Sequence, residues 1–571
     1  MKIDLLIKNA KVYNSYLKKF READVAVLGG KFLHIDTKHS ENFQAEKIID
    51  ANGKYMMPGL IDIHMHIESS MMTPAPFCHH LAENGVTTIV AEPHEIANVF
   101  GKRGIDSMIE AAENIQTSVF YGIPSSVPST SEELETTGAV IDCEEMKKIA
   151  ENPNVICVGE VMNYRKVIVD NSLEICKFIE YVKSEKPHYY AIEGHCPKLL
   201  DLELSKFLYL GINGDHTEHT MEEFIQRFEN GMFVEIQEKS VSKELFDYIK
   251  ANNLYEHFSF VTDDVMADTF LEEGHLNSVL KKSVKAGLKI EDAIYAATFT
   301  PARRMNLHDR GAVAPGKKAD FILVDDLEKF NITNTYIDGQ EIYSCDNKKE
   351  YTSLSYKFPE DFYHSVKVKN ITAEDLKISV DKNSDEVMCR IIEVKDGSTR
   401  TSELIKPVKV KNGFLDWENS EYCLIAVFER HGKNQNIGLG LVTGDCIKKG
   451  AVAATYAHDH HNLMVIGKTV KDIIKAANRI IEIQGGICAV ENGQIKAEVP
   501  LPVAGILSEK SVQKLGIEVK ELRKAMTELG YKHYNPIMSL CTLSLPVSPA
   551  LKITDKGLID VTNSQIVSLV I

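Results

Sequence analysis

Six histidine, glutamate and aspartate side chains lie at the ends of short apolar runs in the first half of the chain. The first run ends in the sequence DIHMH, and because side chains alternate along a strand, His64 and His66 point to the same side. Four later runs end in one such group each: Glu160, His195, His216 and Asp263. Buried imidazoles and carboxylates are costly unless they are paired or bound to metal, so this recurrence predicts a metal site.

Four imidazoles and two carboxylates are sufficient to hold two divalent cations close together, with one carboxylate bridging them. Such a pair lowers the pKa of bound water and holds a nucleophile at neutral pH, which is the chemistry of a metal-dependent hydrolase. Nitrogen and oxygen ligands suit Mn(II), Fe(II) and Zn(II), and no thiolate belongs to the set. A single His-x-His pair is usually a chance surface pair, so the prediction depends on the repetition at five strand ends.

These side chains require a repeating fold to position them. Between residues 58 and 300, apolar runs alternate with amphipathic stretches typical of helices. The eight runs are 60–66, 86–92, 118–123, 155–160, 189–195, 210–216, 232–237 and 258–263. Eight strand-then-helix units predict an α/β protein with a (β/α)8 TIM-like barrel, in which the C-terminal strand ends converge on the active site.

The segments that flank the predicted barrel lack its alternation of strands and helices. Residues 1–57 and 301–345 contain short strands separated by turns, and each piece is too small to bury a core alone. We therefore expect them to combine into one small β-domain. Residues 350–571 are rich in strands and contain two helical stretches, which predicts an additional α+β domain.

Charge and composition limit the partners. With 65 basic and 82 acidic residues, the net charge is −17, which disfavours a broad nucleic-acid surface and is compatible with a small neutral substrate. No run reaches the ~18 apolar residues that span a bilayer, and the start of the chain lacks the pattern of a secretory leader. The eleven cysteines are scattered, as expected of reduced thiols. The sequence thus favours a cytoplasmic protein that binds no membrane and, since such barrels often pair, forms a homodimer.

Several motifs extend beyond the ligand pattern. The stretch PGLIDIHMH at 58–66 resembles the first-strand signature of the metal-dependent amidohydrolase superfamily. Its continuation IESSM at 67–71, EPHEIANV at 92–99 and GEVMN at 159–163 resemble the adenine deaminase family within it. Three later stretches resemble that family's C-terminal domain: AHDHHN at 457–462, LPVAGI at 501–506 and TDKGLIDV at 554–561. The likeness covers nearly the whole chain and implies that 350–571 is that domain.

The resemblance implies hydrolysis of adenine to hypoxanthine and ammonia at a two-metal site, commonly of manganese or iron. It implies six ligands, with Glu160 bridging: His64, His66, Glu160, His195, His216 and Asp263. Asp263 would also act as the acid/base, taking the proton of the hydroxide that attacks C6 and passing it on as ammonia leaves. Of the metals, Mn(II) is favoured, with Fe(II) or Zn(II) as alternatives.

The sequence departs from the family pattern at three places. Thr217 follows His216 where the family has glutamate, Gln237-Glu238-Lys239 replaces Arg-Glu-Gly, and Val265-Met266-Ala267 replaces Arg-His-Pro. We expect these residues to flank the pocket mouth. They keep open a second hypothesis, hydrolysis of another cyclic amidine or amide such as a different purine or a pyrimidine. A third hypothesis, a non-catalytic barrel used as an assembly surface, is disfavoured because no ligand is missing.

Four further residues are candidates for substrate binding or catalysis. Glu92 and His94 end the second run and are predicted either to contact the substrate or to support the ligands, and Asp264, which follows Asp263, is a predicted substrate contact. Glu218, just beyond His216, is the second candidate for acid/base catalysis. The turn containing Asp459-His460-His461 is expected to cover the active site.

Overall fold

The computed structural model describes residues 1–186, 191–352, 356–381 and 384–571. The chain opens with strands that carry apolar residues on their buried side, including Leu5, Ile7 and Val25. These first five strands are β1 (Lys2–Asn14), β2 (Lys19–Leu28), β3 (Lys31–Asp36), β4 (Gln44–Asp50) and β5 (Tyr55–Pro58). β1 pairs antiparallel with β2 and parallel with both β4 and β5.

Eight parallel strands follow and pair in chain order. They are β6 (Leu60–Met65), β7 (Val86–Ala91), β8 (Ser118–Ile123), β9 (Val155–Val161), β10 (Ile192–Gly194), β11 (Gly214–Asp215), β12 (Phe233–Ile236) and β13 (Phe258–Phe260). A parallel bridge between Met65 and Asp263 joins the first strand to the residues after the last, and the Asp263 amide donates to the His64 carbonyl at 3.1 Å. The predicted α/β barrel is thereby confirmed; the beginning of the fifth predicted run, at Tyr189, lies outside the described residues.

Helices connect and surround these strands. They are α1 (Pro74–Glu83), α2 (His94–Phe100), α3 (Lys102–Ala112), α4 (Cys143–Ile149), α5 (Tyr164–Val167), α6 (Glu174–Glu185), α7 (Asp201–Tyr209), α8 (Met221–Glu229), α9 (Lys243–Ala251), α10 (Ala267–Glu273), α11 (Leu276–Lys285), α12 (Ile290–Ala296) and α13 (Phe299–Arg304). α8 shows why such segments are helical: Thr220 and Glu223 cap each other's backbone amides, and Phe224 and Phe228 lie four positions apart on the buried face.

The chain then returns to the first sheet with three strands, β14 (Phe321–Asp326), β15 (Asn331–Ile337) and β16 (Gln340–Ser344). β14 pairs antiparallel with β5, so strands from both sides of the barrel segment form one eight-stranded sheet. Phe321 stacks on Tyr336 with ring centroids 4.4 Å apart in the core beneath this sheet.

The remaining chain forms a second large sheet of nine strands. Its strands are β17 (Glu386–Val394), β18 (Thr401–Lys411), β19 (Phe414–Leu415), β20 (Cys423–Phe428), β21 (Ile437–Gly444), β22 (Ala451–Ala454), β23 (Leu463–Gly467), β24 (Gly486–Glu491) and β25 (Gln494–Pro500). Three helices and a small three-stranded sheet complete it: α14 (Val470–Glu482), α15 (Val512–Glu528), α16 (Pro536–Cys541), β26 (Leu551–Thr554), β27 (Gly557–Asp560) and β28 (Gln565–Val567). Ile473, Ala477 and Ile480 line the buried face of α14.

This C-terminal part packs on the barrel next to the ends of the strands. Ser508 exchanges backbone hydrogen bonds with the segment after β6, donating to Met71 at 2.8 Å and accepting from Thr73 at 3.0 Å. α15 crosses α10 at Gly516, where a Cβ atom would come within 2.9 Å of the Ala267 carbonyl oxygen. Glycine is therefore required for this close approach.

Within the described ranges, no helix combines the length and the apolar character needed to cross a membrane.

Candidate active site

The residues at the end of β6 and after β13 meet on one side of the barrel. His66 Nε2 lies 3.5 Å from Asp263 Oδ1, and His64 Nε2 lies 4.0 Å from the same oxygen. Asp263 has a left-handed backbone with φ of 59°, which aims its carboxylate back at the two rings. His66 Nδ1 donates to the Glu92 carbonyl at 3.0 Å, so its Nε2 is left to face the cluster.

Glu160 lies at the centre of the cluster, and its two oxygens face different partners. Oε1 is 3.5 Å from His66 Nε2, while Oε2 is 2.7 Å from His195 Nδ1 and 3.4 Å from His216 Nε2. The sequence predicted this residue as a bridge from the family resemblance. The two-sided arrangement has the geometry that a bridging carboxylate requires.

The six predicted ligands therefore come together, and their atoms suit divalent cations. His64, His66 and Asp263 bring ligand atoms within 4.8 Å of one another, as do His64, Glu160 and His216. His64 Nε2 is buried and has no hydrogen-bond partner among the described residues. The nitrogens His195 Nδ1 and His216 Nε2 lie only 3.2 Å apart, as expected of two ligands that share a cation. The donor set of imidazoles and carboxylates thus fits the expected metals.

The electrostatics of the cluster keep its carboxylates ionised. Burial alone would raise the pKa of Glu160, but His195, His216 and His66 outweigh it and hold that pKa well below its usual range. Burial, together with the neighbouring His216, lowers the pKa of His64, so this ring is neutral and able to donate its lone pair to a cation. Burial would lower the pKa values of His195 and His66, but the neighbouring carboxylates outweigh it and raise the pKa of His195 to about 9 and that of His66 well above its usual range. These two rings must therefore each lose a proton when a metal binds.

Glu92 supports Glu160 through the backbone. It is buried, and its Oε2 accepts a hydrogen bond of 2.7 Å from the Glu160 amide. Burial and the nearby Glu160 charge raise the pKa of Glu92 to about 8. Gly159 makes room for this contact, because a Cβ atom there would lie 2.5 Å from the Glu92 carboxyl carbon.

His94, the first residue of α2, stands beside the cluster. Its ring packs edge-on against His66 with centroids 4.7 Å apart, and its Nδ1 lies 3.8 Å from both Glu92 Oε1 and Glu160 Oε1. Its Nε2 points the other way, towards Glu95 and Asp459. His94 is therefore enclosed between the metal-ligand cluster and the C-terminal part of the chain.

Asp264 and Lys239 lie on the more open side. Asp264 is half-buried and accepts a hydrogen bond from the Ser69 hydroxyl. Partial burial of the ammonium group would lower the pKa of Lys239, but the charges of Asp263 and Asp264 outweigh this effect and raise that pKa. Glu218 is exposed and contributes only weakly to that pKa. The mouth thus combines a lysine cation with carboxylates.

Two residues expected at the mouth are not there. Thr217 is buried and its hydroxyl donates to Asp215 Oδ1 at 3.1 Å; Gln237 is buried and its amide donates to the His216 carbonyl at 2.8 Å. Both side chains therefore bond to the barrel framework beside His216, Thr217 to a carboxylate and Gln237 to the backbone. In the segment Val265-Met266-Ala267, which also departs from the family pattern, Val265 is half-buried, whereas Met266 and Ala267 are buried where α10 begins.

Sequence reasoning missed two buried groups next to the site, Glu95 and His458. His458 Nδ1 contacts Glu95 Oε1, and His461 Nε2 contacts Glu95 Oε2. The turn after β22 therefore packs against the start of α2. Asp459 and His460, which belong to the same turn, are also buried. The sequence did contain signals for both groups: Glu95 directly follows His94 in the motif EPHEIANV, and His458 directly precedes Asp459 in the motif AHDHHN.

Comparisons with known proteins cover the entire chain. The profile of the amidohydrolase family matches residues 55–342, and that of the adenine deaminase C-terminal domain matches residues 398–565. An adenine deaminase of Clostridium perfringens strain 13 is 51% identical over 572 residues, covering 100% of this chain and 99% of the relative. Adenine deaminase 2 of Shouchella clausii is 49% identical, and an adenine deaminase of Lactobacillus delbrueckii subsp. bulgaricus is 40% identical. Each match covers 100% of this chain and 99% of the relative.

Proposed function

The chain belongs to the adenine deaminase family of the metal-dependent amidohydrolases, and we infer that it hydrolyses adenine to hypoxanthine and ammonia. The structural observation that best supports this function is the position of Glu160. Its two oxygens face His66 on one side and His195 with His216 on the other. We propose that Glu160 bridges two cations, with the remaining ligands supplied by His64, His66, His195, His216 and Asp263.

We propose Mn(II) as the metal, with Fe(II) or Zn(II) as alternatives, because the donors are nitrogen and oxygen without a thiolate. When bound, two such cations lower the pKa of water and stabilise the negative charge that develops during the reaction. The ionised state of Glu160 and the neutral state of His64 prepare the chain for them.

Asp263 is proposed to move the proton. It lies beside His64 and His66. Burial would raise the pKa of Asp263, but His66, His216 and His64 outweigh it and hold that pKa well below its usual range. An anionic carboxylate at this point accepts a proton from the attacking water and delivers it to the amino group that leaves from C6. Glu218, which is exposed, is the alternative acid/base.

The substrate contacts follow from the same geometry. Asp264, held by Ser69 and close to Lys239, is proposed to contact the purine ring at the mouth. Of the two roles predicted for Glu92 and His94, their bonds and neighbours support that of positioning residues, which act through Glu160 and His66, over that of substrate contacts. The second hypothesis, another cyclic amidine or amide, is disfavoured by 40–51% identity to adenine deaminases along the full chain.

A panel of purines and pyrimidines tests the proposed substrate. Manganese-loaded protein is incubated with adenine, 2,6-diaminopurine, guanine, cytosine and dihydropyrimidines. Ammonia is measured as the product of deamination, and chromatography of the products detects ring opening, which releases no ammonia. We expect adenine to be turned over with the highest kcat/KM. Faster turnover of a pyrimidine or a cyclic amide would replace adenine as the substrate, and metal-loaded protein inert towards the whole panel would favour the assembly-surface hypothesis.

We also propose a division into a composite β-domain (1–57 with 301–345), a barrel (58–300) and a C-terminal domain (350–571). The sheet shared by β5 and β14 supports the first of these. The protein is further proposed to act as a homodimer in the cytoplasm. Light scattering of the full chain after gel filtration tests the dimer directly.

A further inference from the structure

Four buried side chains converge outside the six-ligand cluster. His94 and Glu95 begin α2, and His458 and Asp459 lie in the turn after β22, so the group joins the barrel to the C-terminal part of the chain. One ligand atom from each lies within 4.8 Å of the others. We call these four residues the interdomain cluster.

The contacts within the interdomain cluster are those of ligand atoms that point at one centre. His94 Nε2 is 3.7 Å from Glu95 Oε1 and 3.8 Å from Asp459 Oδ1. His458 Nδ1 is 3.7 Å from Asp459 Oδ1 and also contacts Glu95 Oε1. Among the described residues, neither Glu95 Oε1 nor Asp459 Oδ2 receives a hydrogen bond of normal geometry. Two fully buried carboxylates with incompletely satisfied oxygens are costly unless a cation compensates them.

Surrounding groups hold the cluster in this arrangement. His461 Nε2 contacts the other oxygen of Glu95, while its Nδ1 accepts from the Ala457 amide at 3.2 Å. The buried guanidinium of Arg430 donates to the His461 carbonyl, and also to the Ala504 carbonyl at 2.9 Å. Metal-ligating side chains are commonly oriented by a further layer of such bonds.

The charge balance also fits a divalent cation. Two carboxylates contribute two negative charges, and two neutral imidazoles contribute lone pairs. One divalent cation would balance these two charges and satisfy the carboxylate oxygens directly.

We propose that the interdomain cluster is a third divalent-cation site, with His94 Nε2, Glu95, His458 Nδ1 and Asp459 as ligands. Two nitrogen and two oxygen donors suit Zn(II), Mn(II) or Fe(II). Since His94 Nδ1 lies 3.8 Å from Glu160 Oε1, the ion would fix a ring that touches the first cluster. It would thus secure the C-terminal turn over the active site. This proposal does not depend on which substrate is hydrolysed.

Metal stoichiometry tests the third site. The full chain is stripped with a chelator, reconstituted with Mn²⁺ or with Zn²⁺ alone, freed of excess by gel filtration and analysed by mass spectrometry for metal per chain. We expect Asp459→Asn and His458→Gln each to lose one equivalent relative to the wild type. His460→Gln, a change to a buried histidine of the same turn outside the cluster, should lose none.

A double variant, His64→Ala with His66→Ala, separates this proposal from the two-metal hypothesis. It should lose metal from the first cluster and retain the equivalent that Asp459→Asn removes. If Asp459→Asn and His458→Gln bind as much metal as the wild type, the interdomain cluster is an ion-pair network and the proposal is wrong. If instead the double variant alone binds the wild-type amount, the two-metal site is wrong and the third site stands.

A spectroscopic variant covers the case in which Asp459→Asn or His458→Gln does not fold. His458→Cys loaded with Co²⁺ should show a sulfur-to-cobalt charge-transfer band, because a thiolate would replace the Nδ1 ligand. His460→Cys should not show this band. A spectrum of His458→Cys without the band, in protein that retains cobalt, would overturn the assignment.

Discussion

The Glu92 carboxylate accepts a 2.7 Å hydrogen bond from the amide of Glu160, and this bond fixes the backbone of the proposed bridging residue. Gly159 leaves the space in which Glu92 lies, since a Cβ atom there would be 2.5 Å from its carboxyl carbon. The proposed bridge thus depends on a residue without a side chain and on the Glu92 carboxyl group, which accepts a hydrogen bond from the amide of the bridging residue.

Gly159→Ala should therefore impair the enzyme. The methyl group displaces Glu92 and shifts Glu160, and misplacements of about 1 Å in an active site cost up to roughly 10²-fold in rate. We expect kcat to fall at least ~10-fold with the protein still folded. Steady-state kinetics measure kcat, and the metal content is determined on the same sample. The double variant Gly159→Ala with Glu92→Ala is the comparison, because removing the Glu92 side chain relieves the clash. Wild-type kcat in Gly159→Ala would show that the contact is unimportant.

Asp263→Asn preserves the size of the side chain and removes the proton acceptor. Because general acid–base groups contribute roughly 10²–10⁴-fold, we expect a loss of at least that order. Bound metal should fall less than in His64→Ala, since an amide oxygen can still act as a ligand. Turnover and metal are measured on the same sample. Turnover within ~10-fold of wild type at full metal occupancy would transfer the role to Asp264 or Glu218.

Arg430→Met should destabilise the C-terminal part of the chain. The buried guanidinium donates to the carbonyls of His461 and Ala504 and to the Ser365 hydroxyl, and methionine leaves all of them unsatisfied. A buried acceptor left without its donor costs about 1–3 kcal/mol, so for several acceptors we expect the free energy of unfolding to fall by about 3 kcal/mol or more. Urea unfolding followed by circular dichroism measures the change, with the exposed Arg400→Met as the control. Equal midpoints for the two variants would contradict this role of Arg430.

Lys552 predicts a dependence of stability on pH. Its ammonium donates to the carbonyls of Thr399 and Thr542 at 2.7 and 2.8 Å, yet burial lowers the pKa of Lys552 to about 7. The lysine of an unfolded chain has a pKa of about 10.4, so between these values the unfolded chain binds more protons and the free energy of unfolding rises with pH. Below the folded-state pKa both states are protonated and the contribution is constant.

Lys552→Met removes this component. The free energy of unfolding of wild type minus that of Lys552→Met should rise from pH 7 to pH 9, by up to roughly 1.4 kcal/mol per pH unit. Lys524→Met, at an exposed lysine, is the control and should show no such trend. A difference that is flat over this range would mean that Lys552 stays protonated in the folded chain.

The sequence predicts the barrel and the ligand cluster because both are encoded locally. A buried run followed by a histidine or carboxylate identifies a strand end, even where the strand is as short as β11 (Gly214–Asp215). The directions of Thr217 and Gln237 could not be predicted, because they depend on hydrogen bonds to the framework. The interdomain cluster was missed because its halves are distant in sequence: Glu95 belongs to α2, whereas His458 lies in the turn after β22 in the C-terminal part of the chain.

We infer that this chain adds water to C6 of adenine and releases its amino group. The most direct measurement is a reaction of manganese-loaded protein with adenine in ¹⁸O-labelled water, followed by mass spectrometry of the purine product and an ammonia assay. We predict hypoxanthine that carries one labelled oxygen, formed in equal amount to ammonia, and neither product from chelator-treated protein. Unlabelled hypoxanthine, or adenine left unchanged by fully metal-loaded protein, would contradict it.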